Sequence, residues 1–307
     1  RVPVAPDGSF VCTMGVERPT FVTLKGDLIL DLYLMPGHTL RLDFPQGSGS
    51  VAFSGDLGKI NSFWQPLSSD FFKQRKAFYK DPVSRFSQEL PSFFEAVDAL
   101  MAPVLECLEG WNAASERDRT FVEDARRRMT FIRANLLLEY PGGVRRFTPR
   151  STWQPPAGYT DFINDLSFDE ARSLGSEDCK TFIDSWCLLQ ADRKAASGDE
   201  PEHRFFPALW RQLPVILATV KDPVVRDFLM QKRLNQLLDE HDSRHYAGIA
   251  AELRKYCLDP AGMGKRIARA EAEERALEKD VLRRVYKVLG GVNLEALVYR
   301  PEGWRGE

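Results

Sequence analysis

The sequence predicts an α+β fold, in which a small N-terminal antiparallel β-sheet packs on a larger helical region, either a bundle or a short helical solenoid. Three observations predict it. Apolar residues alternate at every second position within the first 56 residues, and after residue 57 they recur every three or four positions. Hydrophobic residues make up 43% of the 307-residue chain, which is ample for a packed core. We therefore expect a β segment at 1–56 and a helical domain at 57–307.

The alternation in the β segment predicts a meander with one buried face. Its apolar positions are Leu28, Leu30, Leu32, Leu34, Leu40, Leu42 and Phe44, with a Pro36-Gly37 turn between the two runs. Successive side chains of a strand point to opposite faces of the sheet, so Asp31, Arg41 and Asp43 are expected to face outward. A further short strand is predicted over 51–53.

Helical spacing begins after residue 57. A stripe of apolar residues over 90–108 predicts an amphipathic helix, and a second helix is predicted from Ser115 to Tyr140. Pro141-Gly142-Gly143 is expected to end that helix, which leaves 141–159 as a Pro- and Gly-rich loop. Further helices are predicted at 176–195 with Ser176 as N-cap, 205–219, 222–238, 243–257 and 263–289.

The charge balance excludes some classes of protein. Lys and Arg number 42 and Asp and Glu 44, a net charge of −2, which argues against a general nucleic-acid binder. No run of 18 apolar residues occurs, so no membrane span is predicted. The chain starts at Arg1 without a Met or a signal-peptide apolar stretch, and we expect a processed piece of a longer product.

The sequence has five cysteines but no Cys-x-x-Cys pair, so no thioredoxin-type redox motif is present. Cys179 and Cys187 are eight residues apart in one predicted helix, and a rise of about 1.5 Å per residue separates them by roughly 12 Å, too far for a disulfide. We interpret the cysteines as small buried apolar residues.

The sequence assigns no catalytic residue, no metal ligand and no cofactor. His241 and His245 have the i, i+4 spacing of two zinc ligands, but no third ligand accompanies them, and a solvated polar connection is the preferred interpretation. The motifs of serine hydrolases and of the common nucleotide-binding loops do not occur.

The arginines of the second helix have two interpretations. Arg126, Arg127 and Arg128 could bind phosphate or an anionic glycan. The preferred interpretation is that they pair with acidic residues of the same helix. Those acidic residues are Glu116, Asp118, Glu123 and Asp124.

The loop at 141–159 is the predicted binding region. Its Trp153 and Tyr159 offer apolar faces with a polar end, and Arg145, Arg146 and Arg150 add positive charge. The preferred interpretation is that the aromatic side chains of this loop, Trp153, Tyr159 and Phe147, anchor it to the helices beneath.

Several segments together resemble the N-terminal region of the Bacteroidetes-type TlpA/ResA-like thioredoxin family of thiol-disulfide oxidoreductases. They are DGSFVCTMGVERPTFVTLKGD at 7–27, PGHTLRLDF at 36–44, FSGDLGKIN at 53–61, FIRANLLLEYPGGV at 131–144 and LSFDEARSLGSEDCKTFID at 166–184. The similarity covers roughly the first 190 residues.

The resemblance implies a non-catalytic accessory region that positions a redox domain or selects its substrates. Its family members are extracytoplasmic, which implies a periplasmic or envelope location and a precursor that is exported or lipid-anchored. The expected partner is an envelope protein or a downstream thioredoxin domain of the same protein. The alternatives are a stand-alone envelope binding module for a protein or a glycan, and an enzyme with a cleft between helices.

Overall fold

A computed structural model describes the chain at residues 5, 10–26, 28–44, 51–196, 207–239, 253–287 and 293–299. It confirms the predicted fold class, since a small N-terminal antiparallel sheet packs on a mainly helical chain. Contacts within the chain define two compact units, Arg1–Glu200 and Pro201–Glu307, and the N-terminal strands share the first unit with helices. The domain boundary expected after residue 56 stays a prediction.

The elements of the first unit follow one another without long interruptions. They are β1 Thr20–Lys25, β2 Ile29–Leu34, β3 Arg41–Asp43, β4 Ala52–Ser54, α1 Gly58–Phe78, α2 Pro82–Ser87, α3 Leu90–Glu109, α4 Glu116–Phe147, the 3₁₀ turns Asp161–Ile163 and Ala171–Gly175, and α5 Glu177–Ala196. The second unit contains α6 Pro207–Thr219, α7 Pro223–Asp239, α8 Pro260–Asp280, β5 Val281–Lys287 and β6 Asn293–Tyr299.

The N-terminal strands form two sheets instead of the predicted single meander. β1 pairs with β2 in antiparallel register, with Val22 opposite Leu32, and β3 pairs with β4, with Leu42 opposite Phe53. The reason is that side chains of α1 occupy the second edge of β2, where a third strand would have to pair.

Two side-chain amides of α1 protect this edge of β2. Asn61 accepts from the backbone N–H of Tyr33 at 2.8 Å and donates to its carbonyl oxygen at 3.0 Å. Gln65, one helical turn further on, accepts from the N–H of Asp31 at 2.8 Å. Four helical residues advance about 6 Å and two strand residues about 6.6 Å, so the two amides match the repeat of the strand. These hydrogen bonds satisfy backbone N–H and C=O groups of β2. On an exposed edge, such groups would be free to pair with a strand of another molecule.

Burial of the strands confirms part of the prediction, but the face of β2 that contacts α1 and α4 carries Asp31 and Tyr33. Leu30 and Leu32 are buried, as predicted, and Arg41 and Asp43 are exposed, as predicted. The outward orientation predicted for Asp31 is wrong, because its side chain is buried and bonded to α1 and α4. Leu28 and Phe44 are exposed, since they lie beyond the paired parts of the strands.

Two helices of the first unit, α4 and α5, begin at the serines that the sequence indicates. Ser115 accepts from the N–H of Asp118, and the Asp118 carboxylate accepts from the N–H of Ser115, which completes a capping box at the start of α4. Ser176 accepts from the N–H of Cys179 at the start of α5, as predicted. The predicted stripe on α3 is buried at Val97, Leu100, Met101, Val104 and Leu108.

The predicted ends of two helices are wrong. α4 does not stop at Tyr140 but continues through Pro141-Gly142-Gly143 to Phe147. The last helix, expected to reach residue 289, ends at Asp280, and its continuation is strand β5, which pairs with β6. β5 contains Val281, Val285 and Tyr286, residue types that favour strands. Most of the helix predicted at 243–257 lies outside the described residues.

Candidate functional site

The far end of α4 is built around a proline that the helix tolerates. Pro141 has no N–H, so the carbonyl of Leu137 lacks its partner four residues later in the helix. The hydroxyl of Tyr159 donates a hydrogen bond to this same carbonyl oxygen. The buried Tyr159 thus replaces the missing backbone donor, and its burial raises the pKa of its phenol. This contact explains why α4 passes the position predicted to end it.

Gly143 serves packing between helices and not helix termination. A Cβ atom at this position would lie 2.2 Å from the Phe86 ring of α2, so only glycine lets this ring reach α4. The Phe86 ring also stacks on that of Phe147, with centroids 5.7 Å apart and planes inclined by 12°. The Pro-Gly-Gly segment therefore fixes α2 against the last two turns of α4.

A groove of about 940 Å³ opens beside this junction. Its walls come from α2, the end of α4, the loop that follows α4, and α5. The lining residues are Tyr79, Pro82, Phe86, Leu138, Glu139, Pro141, Gly142, Gly143, Arg145, Arg146, Phe147, Gln154, Pro155, Tyr159 and Leu189. Carbon-rich side chains predominate, and the charged side chains are one glutamate and two arginines.

The predicted binding residues lie near each other but in different surroundings. Arg145 and Arg146 are exposed on the last turn of α4 and line the groove together with Tyr159. Trp153 is half-buried and meets the Tyr140 ring edge-on, with centroids 5.4 Å apart. Arg150 donates to the carbonyl oxygens of Phe86 and Ser87, so it ties the loop to the end of α2.

The glutamate of the groove is already engaged. Tyr79 donates to Glu139 at 2.5 Å. Burial, and then the neighbouring Glu139 carboxylate, raise the pKa of the Tyr79 phenol. Tyr79 therefore stays protonated at neutral pH and holds the carboxylate by hydrogen bonding.

A second cluster of charges lies in the core between the sheet and α4. Arg128 donates to Asp31 of β2 at 2.6 Å and to Asp178 of α5 at 2.7 Å. The indole N–H of Trp64 donates to the same Asp31 carboxylate at 2.9 Å, and the guanidinium lies 4.7 Å from the centre of the Phe21 ring. Burial alone would lower the pKa of Arg128, but the two carboxylates outweigh it and the pKa is raised.

A tyrosine extends this buried network. Tyr33 of β2 donates to Asp124 of α4 at 2.7 Å, and Asp124 also accepts from Arg172 at 2.8 Å. Burial, followed by the Asp124 charge, raises the pKa of the Tyr33 phenol. The network joins β2, α4 and the 3₁₀ turn before α5. Its role is therefore structural.

The pairing predicted for the arginine run is wrong. Arg128 pairs with residues of β2 and α5, and Arg127 pairs with Glu170 at 3.3 Å. The acidic residues expected to pair with the run are engaged elsewhere. Glu116 pairs with Arg119, Asp118 with Lys59, and Glu123 and Asp124 with Arg172. Other elements cover these faces of α4 and bring opposite charges from a distance in sequence.

All five cysteines are free, and they differ in exposure: two are buried, two are exposed and Cys257 is half-buried. Cys179 and Cys187 are buried, as predicted, and burial raises the pKa of each thiol to about 12. Such thiols stay protonated at neutral pH and react slowly. Cys12 and Cys107 are exposed, so burial was wrongly expected for them.

Within the described residues, no group of three or more His, Cys, Asp or Glu side chains is placed to hold a metal ion. His241 and His245 lie outside those residues. No helix of the described part has the length and apolar character to cross a membrane. No family model, curated protein or solved structure matches the chain.

Several residues that shape the groove and the buried charge cluster were not predictable from the sequence. Asp31 and Asp178 complete the buried cluster, and Phe86, Leu138 and Leu189 line the groove. An aspartate between two strand leucines carries the signal of an outward residue, and nothing local distinguishes it. In the sequence, the aromatic and basic composition of 141–159 is the feature that indicates the groove.

Proposed function

We propose that this chain is a non-catalytic accessory region of an extracytoplasmic thioredoxin-like oxidoreductase, and that it recognises a segment of an envelope polypeptide. The sequence resemblance supplies the class of protein. The groove at the end of α4 is the observation that carries the binding role. Recognition here would select or position a substrate for a thioredoxin domain.

The groove has the size and composition of a site for side chains. Its volume of about 940 Å³ lies within the range of binding pockets, roughly 300–1,000 Å³. Phe86, Phe147 and Leu138 supply apolar surface, and the exposed guanidinium groups of Arg145 and Arg146 supply donors at the rim. An extended polypeptide segment complements both features, because it offers apolar side chains together with carbonyl and carboxylate oxygens.

The walls of the groove are held together by contacts between α2, α4 and the loop that follows, so the groove is preformed. Tyr159 completes the helix at Leu137, Gly143 admits Phe86, and Arg150 ties the loop to α2. A preformed groove loses little conformational entropy on binding. The buried thiols of Cys179 and Cys187, with pKa values near 12, are poor nucleophiles.

Gly142 offers a direct test, because it lines the groove and a Cβ atom there meets no atom within 4 Å. Gly142→Trp should fill the groove, and Gly142→Ala is the matched control. The probe is fluorescein-labelled, reduced and carboxymethylated α-lactalbumin, an unfolded polypeptide, followed by fluorescence anisotropy. We expect the unmodified chain and Gly142→Ala to bind alike. Gly142→Trp should bind roughly 10- to 150-fold more weakly, since about 1.5–3 kcal/mol of apolar burial is lost.

Thermal unfolding of both variants checks that each one folds. Equal binding by Gly142→Trp and the unmodified chain, or no binding by the unmodified chain, would refute the role of the groove. The same chain should not reduce insulin with dithiothreitol at a rate above that of dithiothreitol alone. Turnover like that of a thioredoxin would refute the non-catalytic assignment.

A further inference from the structure

Two arginines at the groove differ from three arginines earlier in α4 and from Arg150 of the loop that follows. Arg127, Arg128 and Arg133 of α4 all pair with carboxylates, and Arg150 of the next loop pairs with Glu89 at 3.7 Å. In the described part of the chain, the ion pairs and hydrogen bonds include no acceptor for the side chains of Arg145 or Arg146. Arg146 lies 5.2 Å from the centre of the Phe147 ring, against the apolar wall.

The surroundings leave this rim positively charged. The carboxylate of Glu139, on the same wall, accepts a hydrogen bond from Tyr79 at 2.5 Å, and one carboxylate opposes two guanidinium groups. The negative end of the α4 dipole favours basic residues in its last turn. The dipole explains why Arg145 and Arg146 are stable in this turn. Both guanidinium groups are nevertheless exposed, beside the apolar floor that Phe86 and Phe147 form in the groove.

We infer that the groove selects acidic segments, in which an apolar side chain lies on Phe86 and Phe147 and neighbouring Asp or Glu residues pair with Arg145 and Arg146. This inference rests on the proposed function and names the chemistry of its ligand. A guanidinium binds a carboxylate strongly, often through two parallel hydrogen bonds. The apolar floor favours a polypeptide over a glycan, because a glycan offers few apolar side groups to bury there.

Three labelled peptides separate charge from apolar binding. They share a central Leu-Phe-Leu core and carry Glu, Gln or Lys residues on both sides. We expect the Glu peptide to bind roughly fivefold more tightly than the Gln peptide, and the Lys peptide to bind most weakly, as expected for two exposed ion pairs. The preference should shrink at high salt, since exposed charges are screened.

Charge reversal at the rim gives the decisive comparison. In Arg145→Glu/Arg146→Glu, the order of the three peptides should invert. The control Lys76→Glu/Arg126→Glu makes the same change in net charge at exposed helix positions that do not line the groove, and it should keep the original order.

The failures of the two proposals are distinguishable. Equal binding of all three peptides by the unmodified chain would overturn acidic selection and leave a groove for polypeptides. Absence of binding by every peptide and by unfolded α-lactalbumin would overturn the proposed function itself. Tighter binding of a sulfated oligosaccharide than of the Glu peptide would overturn the assignment of a polypeptide ligand.

Discussion

The middle and the end of α4 both carry arginines, and they differ in what covers them. Arg128 lies under the sheet and α5, where two carboxylates, an indole N–H and an aromatic ring complete its surroundings. Arg145 and Arg146 lie on the last turn, exposed beside an apolar groove. The same residue type therefore supports the core at one place and offers charge to a ligand at another, and tertiary covering decides which.

The largest effect on the free energy of unfolding is expected when Arg128 is replaced. In Arg128→Met, the buried carboxylate of Asp31 and the half-buried carboxylate of Asp178 lose their cation, and removal of one partner from a buried pair costs about 3–5 kcal/mol. Arg145→Met, with the same change in side chain, should cost about 0.5 kcal/mol or less because its site is exposed. Urea denaturation at neutral pH measures both. Similar losses in the two variants would contradict the assignment of separate roles.

A second test concerns how the groove end of α4 is supported. Tyr159→Phe leaves the Leu137 carbonyl without a donor, which should cost about 1–3 kcal/mol. In a Pro141→Ala background the backbone N–H of residue 141 becomes available to the same carbonyl. The cost of Tyr159→Phe should then fall by about 1 kcal/mol, measured as the coupling free energy in a double-mutant cycle.

Tyr140 gives the control for this cycle. Its hydroxyl also donates to a backbone carbonyl, that of Gln88 at 2.6 Å, but this acceptor lies outside α4. Tyr140→Phe should therefore cost the same in both backgrounds. A zero coupling for Tyr159 and Pro141 would mean that the hydroxyl does not replace the missing amide.

The strands and helices were predictable where the pattern depends on local spacing. Leu30 and Leu32 are buried as their alternation indicates, and Ser115 and Ser176 begin helices as capping residues do. Asp31 was not predictable, because its burial depends on Arg128, which is 97 residues away in sequence. A pattern of polar and apolar residues cannot show that a distant guanidinium neutralises a carboxylate.

The groove shows the same limit of local sequence patterns at the end of α4. Pro141-Gly142-Gly143 indicates a helix end by local rules. The helix continues because Tyr159 donates to the carbonyl oxygen that Pro141 leaves without a partner, and because the Phe86 ring packs on Gly143. Of the basic and aromatic residues that the sequence indicates in 141–159, Arg145, Arg146 and Tyr159 line the groove, and Arg150 and Trp153 are not among its lining residues. Their arrangement, with Arg145 and Arg146 on a helix and not in a loop, depended on these two tertiary contacts.

The smallest expected effect lies in the first turn of α4, where a buried carboxylate has an exposed partner. Burial would raise the pKa of Asp118, but bonds from Lys59 and Ser115 outweigh it, and the pKa is lowered. A carboxyl whose pKa is depressed by folding stabilises the protein above its unfolded pKa of about 3.9, and this stabilisation is lost as the pH falls through the folded value.

Asp118→Asn should therefore destabilise the chain by about 1 kcal/mol at pH 7, the size of a helix-cap effect, because its amide keeps the cap geometry poorly and loses the charge. The difference from the unmodified chain should shrink as the pH falls below about 4, where Asp118 is protonated in the unfolded chain first, and it should vanish below the lowered pKa of the folded chain. Asp70→Asn is the control: Asp70 is exposed and pairs with Lys73 at 3.1 Å, so its loss should stay within about 0.5 kcal/mol at every pH. Urea denaturation of the three proteins across this pH range measures the effect. A loss for Asp118→Asn that persisted unchanged in acid would show that side-chain packing, and not charge, gives this carboxylate its contribution.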